Sequence, residues 1–135
     1  MRKKEWAMSR IPSDLRYSKD HEWVRIEGNV AYVGITDYAQ DTLGEVVYVE
    51  LPSVGDSFEA NEEIANIESV KAASAIYNPI AGTVAAVNKD LESSPESVNE
   101  DSYANYLYTL KDFEASALED LLDAKGYEAF IATLD

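Results

Sequence analysis

Residues His21–Glu27 and Val30–Ile35 are rich in β-branched and aromatic side chains and are separated only by Gly28-Asn29. A two-residue turn of this kind between two such runs predicts an antiparallel hairpin. Strand parity places Val24 and Ile26 on one face and Trp23 and Arg25 on the other. Further short β runs follow at 45–51, 58–67, 74–77, 83–88 and 106–111, divided by turn residues at 52–56 and 79–82. Between the hairpin and the next strand, Asp37 and Gln40 resemble a capping box and Gly44 reads as a stop, which predicts one or two helical turns. The stretch 91–105 is polar and loop-like. From Phe113 the period changes. Ser116 with Glu119 suggests a second capping box, Leu118, Leu121 and Leu122 line one helical face, and Gly126 reads as its end. Residues 127–134 can form one more short helix. The outline is a mainly β domain with helical additions, not a βαβ fold.

At 135 residues, 46% of them hydrophobic, the chain is long enough for one domain with a real core. We divide it into an N-terminal extension at 1–10, expected to be flexible, a β domain at 11–111 and a C-terminal helical extension at 112–135 that packs on the same domain. Met8 is an alternative start to Met1. There is no Cys and a single His, His21, which excludes disulfides, thiol catalysis and a multi-His zinc site within one chain. No apolar run is long enough to span a membrane. The net charge is −15, and from residue 11 onward 7 basic residues face 25 acidic ones. A field of that sign repels nucleic acid and anionic lipid. It suits transient basic protein partners, or simply solubility. No Gly-x-Ser-x-Gly motif, Cys-His pair or phosphate-binding Gly loop supports an autonomous enzyme.

Lys71 stands apart from the other lysines after residue 10. It sits midway between two strand segments, which places it at a hairpin tip. Its neighbours Val70, Ala72 and Ala73 are small or apolar, where an exposed turn ordinarily prefers Gly, Asn, Asp or Pro. The residues alone leave two roles open: a solvated turn lysine beside Glu68, or a lysine presented to a modifying enzyme.

Several blocks carry a resemblance that bears on this choice. They are Tyr17, His21-Glu22-Trp23, the run Val33 to Gln40, Leu43, the run Gly44 to Pro52, the run Ile67 to Ser74, the run Pro79 to Gly82, and Val87-Asn88. In this order, over roughly the span from Ile11 to Lys111, the chain closely resembles the H protein of the glycine cleavage system. The resemblance implies a flattened β-barrel or sandwich of the lipoyl/biotinyl-carrier type, with the lysine on a hairpin and a C-terminal helical extension. It implies a carrier, not a catalyst, with lipoate attached to Lys71 as N6-lipoyllysine and with Glu68, Ser69, Val70 and Ala72 as recognition context. The implied partners are the pyridoxal-phosphate glycine decarboxylase that loads an aminomethyl group, the aminomethyltransferase, the dihydrolipoyl dehydrogenase and the lipoyl-attaching enzymes. A long flexible arm would bring one reactive sulfur to several pockets without release of the cargo. By the same resemblance the loaded arm folds into a cleft, with Glu22 the candidate to hold the cationic amine and His21 a candidate hydrogen-bonding neighbour. A monomer is expected, in the cytoplasm of a bacterium or the mitochondrial matrix of a eukaryote.

The chain departs from the family pattern in two places. Ala75 follows Ser74 where the family usually has Asp. After Pro95 to Asn99 the family's Pro is replaced by Ser102, a Gly is lost, and Tyr106 stands for Trp. The nearest alternatives are an H-like protein that relays lipoyl groups to other enzymes and a binding module of the same fold without a cofactor. Val70-Lys71-Ala72 does not resemble the Met-Lys-Met of biotin carriers.

Overall fold

The computed structural model describes residues 11–134. The extension at 1–10 therefore lies outside the described residues. The chain forms β1 (Arg16–Tyr17), β2 (Glu22–Glu27), β3 (Val30–Ile35), α1 (Asp37–Leu43), β4 (Val46–Glu50), β5 (Ser57–Phe58), β6 (Glu63–Ser69), β7 (Ala73–Tyr77), β8 (Gly82–Val87), α2 (Asp90–Ser93), α3 (Ser97–Glu100), β9 (Tyr108–Lys111), a 3-10 segment (Ala115–Asp120) and α4 (Ala124–Ala132). Two antiparallel sheets result. One has six strands in the order β1-β2-β3-β9-β8-β5, and the other has three in the order β4-β6-β7. This is the mainly β sandwich that the turn spacing and the resemblance implied.

The main core lies between the sheets, where Val24, Val33 and Leu110 of the larger sheet join Val49, Ile67 and Ile76 of the smaller. A second core covers the other face of the larger sheet. There Leu15, Tyr17 and Trp23 meet Tyr127 and Ile131 of α4. The hairpin parity holds: Val24 enters the first core and Trp23 the second. Arg25 follows Trp23 on that face, its guanidinium 5.5 Å from the Trp23 ring and 4.7 Å from Tyr32. Ile26, near the turn, is 37% exposed.

The close register of β2 and β3 explains a glycine. Trp23 pairs with Gly34. A Cβ on Gly34 would lie 2.6 Å from the Trp23 ring, so the indole crosses the strand where a side chain is missing. The Trp23 Nε1 donates to the Ser102 carbonyl at 3.1 Å, which draws the 101–105 turn onto the same face.

The helical segments differ from the sequence reading in three ways. The cap of α1 is Thr36, whose hydroxyl accepts from Ala39 N–H. Asp37 instead accepts from the Gln40 side-chain amide. The segment 91–105 is not plain loop, because Leu91 and Val98 are buried and anchor the one-turn helices α2 and α3. In the tail, Gly126 does not end a helix. Asp123 accepts from Gly126 N–H at 2.8 Å, so Gly126 sits in the first turn of α4 and 115–120 forms only a 3-10 segment. Tyr17 and Leu122 exchange two backbone hydrogen bonds, which tie this tail to β1.

Two substitutions test the second core. Gly34→Ala should lower unfolding stability by about 2 kcal/mol through overpacking against Trp23. Ser102 is buried and its hydroxyl has no hydrogen-bond partner among the described residues. Ser102→Ala should therefore raise stability by about 1 kcal/mol. Urea unfolding at fixed pH reads both, and a stabilised Gly34→Ala chain or a destabilised Ser102→Ala chain would contradict this packing.

Candidate functional site

The tip between β6 and β7 is built by Ser69. This buried residue ends β6, and its hydroxyl accepts from Ala72 N–H at 3.1 Å and Lys71 N–H at 3.3 Å. Its backbone N–H donates to the Ala72 carbonyl at 2.7 Å. The Ser side chain thus does the work that Gly or Asn does in other turns. Val70 N–H donates to the Glu45 carbonyl at 3.0 Å, which moors the tip to the start of β4. Val70 is 66% exposed, Glu68 and Ala72 are exposed, and so is Lys71. Among the described residues nothing hydrogen-bonds or ion-pairs with the Lys71 Nζ. Its aliphatic stem lies close to Gly44, where an added Cβ would sit 3.3 Å from Lys71 Cε.

Beside the tip, a cavity of about 240 Å³ opens between α1 and β7. Tyr38, Ala39, Thr42 and Leu43 line it from α1, Ser74 and Ile76 from β7, and Asp20 and His21 from the loop before β2. Leu43 is the neighbour of Gly44, so cavity and lysine stem share the C-terminal end of α1. The lining is largely apolar with a few polar groups, the character of a small-molecule pocket.

The loop that floors the cavity is knotted around Ser18. Its hydroxyl donates to Glu22 Oε1 at 2.6 Å and accepts from Glu22 N–H and Asp20 N–H. His21 takes a left-handed conformation (φ 72°) to close this loop. Its Nδ1 lies 2.8 Å from the Tyr127 hydroxyl, which also bonds Thr36 Oγ1 at 2.7 Å. The imidazole packs against Tyr38, Tyr127 and Phe130. Burial pushes its pKa down, against an opposing pull from Asp20, and so favours the neutral ring.

Glu22 is 1% exposed. Its Oε2 accepts from Tyr77 N–H at 3.2 Å, and no cationic side chain pairs with it among the described residues. Desolvation raises its pKa to about 7; the hydrogen bonds from Ser18 and Tyr77 oppose the rise, and the nearby Asp20 charge adds to it.

The structure thus gathers Glu68, Ser69, Val70, Lys71 and Ala72 at one tip, and places His21 on the cavity wall. Glu22 sits behind that wall, next in chain to His21, and does not itself line the cavity. Ala75 lies between the lining residues Ser74 and Ile76 but is not one of them. Ser102 and Tyr106 are not free loop residues: Ser102 is buried, and the Tyr106 ring meets Tyr32 edge-on at 5.1 Å. Sequence reasoning missed Ser18, Thr36 and Tyr127, which position His21 and Glu22. It also gave no role to Asn99, whose side chain joins α1 to β4. A Ser four residues before a strand Glu was the available signal for Ser18. Tyr127 had none, because its partner lies 106 residues away.

A two-sheet β domain that holds at a hairpin tip an exposed lysine, unpaired among the described residues, has the form of a carrier that presents a group to other proteins. A sequence profile of the family described as glycine cleavage H-protein matches residues 15–134. The chain is 51% identical over 119 residues to the glycine cleavage system H protein of Syntrophomonas wolfei, covering 88% of this chain and 92% of that protein. It is 54% identical over 123 residues to the H protein of Pseudoalteromonas atlantica, covering 90% and 95%. The crystal structure of a glycine cleavage system H protein from Mycobacterium marinum superposes with a TM-score of 0.82 at 33% identity, over 90% of this chain and 99% of that one. The chain belongs to the glycine cleavage H-protein family, whose members are lipoyl carriers of that system.

The buried carboxylate makes a pH prediction. Folded Glu22, with its pKa at about 7, binds its proton more tightly than in the unfolded chain, where the ordinary value is 4.5. Its contribution to stability is therefore present below pH 4.5 and is lost as pH rises through about 7. Relative to Glu22→Gln, the native chain should lose up to about 3 kcal/mol across that window, as read by urea unfolding at several pH values. A constant difference between the two chains would show that Glu22 is charged throughout.

Proposed function

We propose that Lys71 carries lipoate in amide linkage and that the chain serves as the shuttle of a glycine cleavage system. The observation that carries this reading is the exposed, unpaired Lys71 at a hairpin tip in a member of this family. Glu68, Ser69, Val70 and Ala72 form the surface that the attaching enzyme reads, with Ser69 holding the tip in shape. The attached group would supply a pair of sulfurs able to carry a one-carbon amine and two electrons. The residues present fit such a group. The tip is free to be acylated, and an apolar cavity lies beside the lysine stem.

The cavity is the shelter for the arm between visits to partners. His21 offers a neutral imidazole at its wall, and Glu22 behind it is a desolvated carboxylate with no cation beside it among the described residues. A buried carboxylate of that kind favours an arriving amine cation, which supports Glu22 as the group that holds cationic cargo. The partners are glycine decarboxylase, aminomethyltransferase and dihydrolipoyl dehydrogenase, met one at a time. The acidic surface favours fast, salt-sensitive encounters with them. We read residues 11–111 as the carrier domain and 112–135 as its packed extension. We place the chain in the cytoplasm, as its bacterial relatives suggest, and among the described residues no helix is long and apolar enough to cross a membrane.

Intact-mass analysis of protein from cells with an active lipoylation route should show the addition of one lipoyl group per chain. Peptide mapping should locate it at Lys71. Lys71→Arg should fold with unchanged thermal stability and gain no mass, since Arg keeps the charge but cannot form this amide. Unmodified native chain under these conditions, or modification that persists in Lys71→Arg, would remove the basis for the proposal.

A further inference from the structure

The Lys71 side chain is exposed, yet it is not directionless. Gly44 has φ 81° and ψ −158°, a conformation suited to glycine, and its bare Cα faces the lysine stem. A side chain there would stand 3.3 Å from Cε and 3.9 Å from both Cδ and Nζ. Gly44 in turn is held by Asn99 of α3. One amide N–H direction of Asn99 reaches the Gly44 carbonyl at 2.8 Å and another reaches Gln40 Oε1 at 2.8 Å. The Asn99 oxygen accepts from Val46 N–H at 2.8 Å. Asn99 has thus committed both donors and its acceptor across the junction of α1 with β4. The residue between the two held positions, Glu45, accepts from Val70 N–H of the lysine tip.

We infer that Gly44, fixed by Asn99, is a seat for the Lys71 stem that aims the lysine along the C-terminal end of α1 toward the cavity. A free lysine side chain spreads over many rotamers, and contact of its methylenes with a fixed surface narrows that spread. The seat lies one residue from Leu43 and two from Thr42, both cavity-lining. An arm leaving Nζ from this seat starts beside the C-terminal turn of α1, whose Thr42 and Leu43 line the cavity. Asn99 is a positioning residue: it bonds Gly44, Gln40 and Val46 and does not line the cavity. The inference deepens the carrier reading and rests on it for its purpose, while the seat itself is a property of the unmodified chain.

The experiment uses full-length chain labelled with 13C-lysine and the variant Asn99→Asp. Asp keeps an acceptor for Val46 N–H but loses both donors, so the junction with β4 is kept while the hold on Gly44 is lost. In the native chain, NMR should show an NOE between Lys71 Hε and Gly44 Hα, with the lysine assigned by its loss in Lys71→Arg. In Asn99→Asp that NOE should vanish and the Lys71 signal should move toward the position of a free lysine. In lipoylated chain, the same variant should expose the arm, so that a bulky water-soluble phosphine reduces its disulfide about fivefold faster, the scale of one lost net hydrogen bond. Lipoylation itself should proceed undiminished, because the tip turn at Ser69 is untouched. Ile131→Ala, in the second core, serves as a destabilised control.

Persistence of the NOE, or an unchanged phosphine rate, in Asn99→Asp would overturn the seat. The same changes in Ile131→Ala would also overturn it, by reducing Asn99 to a general stabiliser. Failure of lipoyl attachment in the native chain would count against the carrier reading, and the NMR comparison on unmodified chain would still decide the seat.

Discussion

Trp23 lies flat across Gly34, and most of the molecule is arranged around that contact. A strand that buries an indole on one face and Val24 on the other cannot be an ordinary half-exposed strand. It needs a layer on each side. The smaller sheet supplies one. The other is assembled from pieces distant in sequence: Leu15 and Tyr17 before the hairpin, the turn at Ser102, and α4 at the end of the chain. The C-terminal helix is therefore part of the wall and not a decoration. Through the Tyr127 hydroxyl it reaches His21 and Thr36, and Thr36 caps the helix that lines the cavity.

How much of this could be read from the sequence follows from the range of each interaction. The β2–β3 hairpin and its parity were legible because a two-residue turn and a period of two are local. The Lys71 tip was legible for the same reason. The end of α1 at Gly44 was too, since a C-cap glycine is a local signal. The tail was misjudged where two local signals competed: Ser116 with Glu119 looked like a cap, but Asp123 has the geometry that α4 uses, and Gly126 serves its first turn instead of ending a helix. The stretch 91–105 looked featureless because its inward residues, Leu91, Val98, Ser102 and Tyr103, are too widely and unevenly spaced to show a period.

The site was legible in a different way. The lysine block and His21-Glu22-Trp23 stood out by resemblance, whereas their physical states did not. Nothing local says that Glu22 is fully buried, because a Glu in a hairpin strand is more often solvated. Its burial comes from Ser18 on one side and Tyr77 N–H on the other, the latter 55 residues away. Asn99 is the same case. Its three bonds converge from α1, Gly44 and β4, and only the folded chain brings these together.

The charge distribution sharpens the meaning of Glu22. In a chain with 26 acidic residues and 11 basic ones, a further solvated carboxylate would cost nothing. This one is instead desolvated, held by two neutral donors, near Asp20 and, among the described residues, without a cation. Such an arrangement lowers stability near neutral pH. A packing role alone therefore does not account for the carboxylate. Under the proposed function, a transient positive charge brought close behind the His21 wall would account for it, since it would meet a group already stripped of water and held by the turn at Ser18. The stability withheld from the folded chain would then reappear as affinity for the cargo.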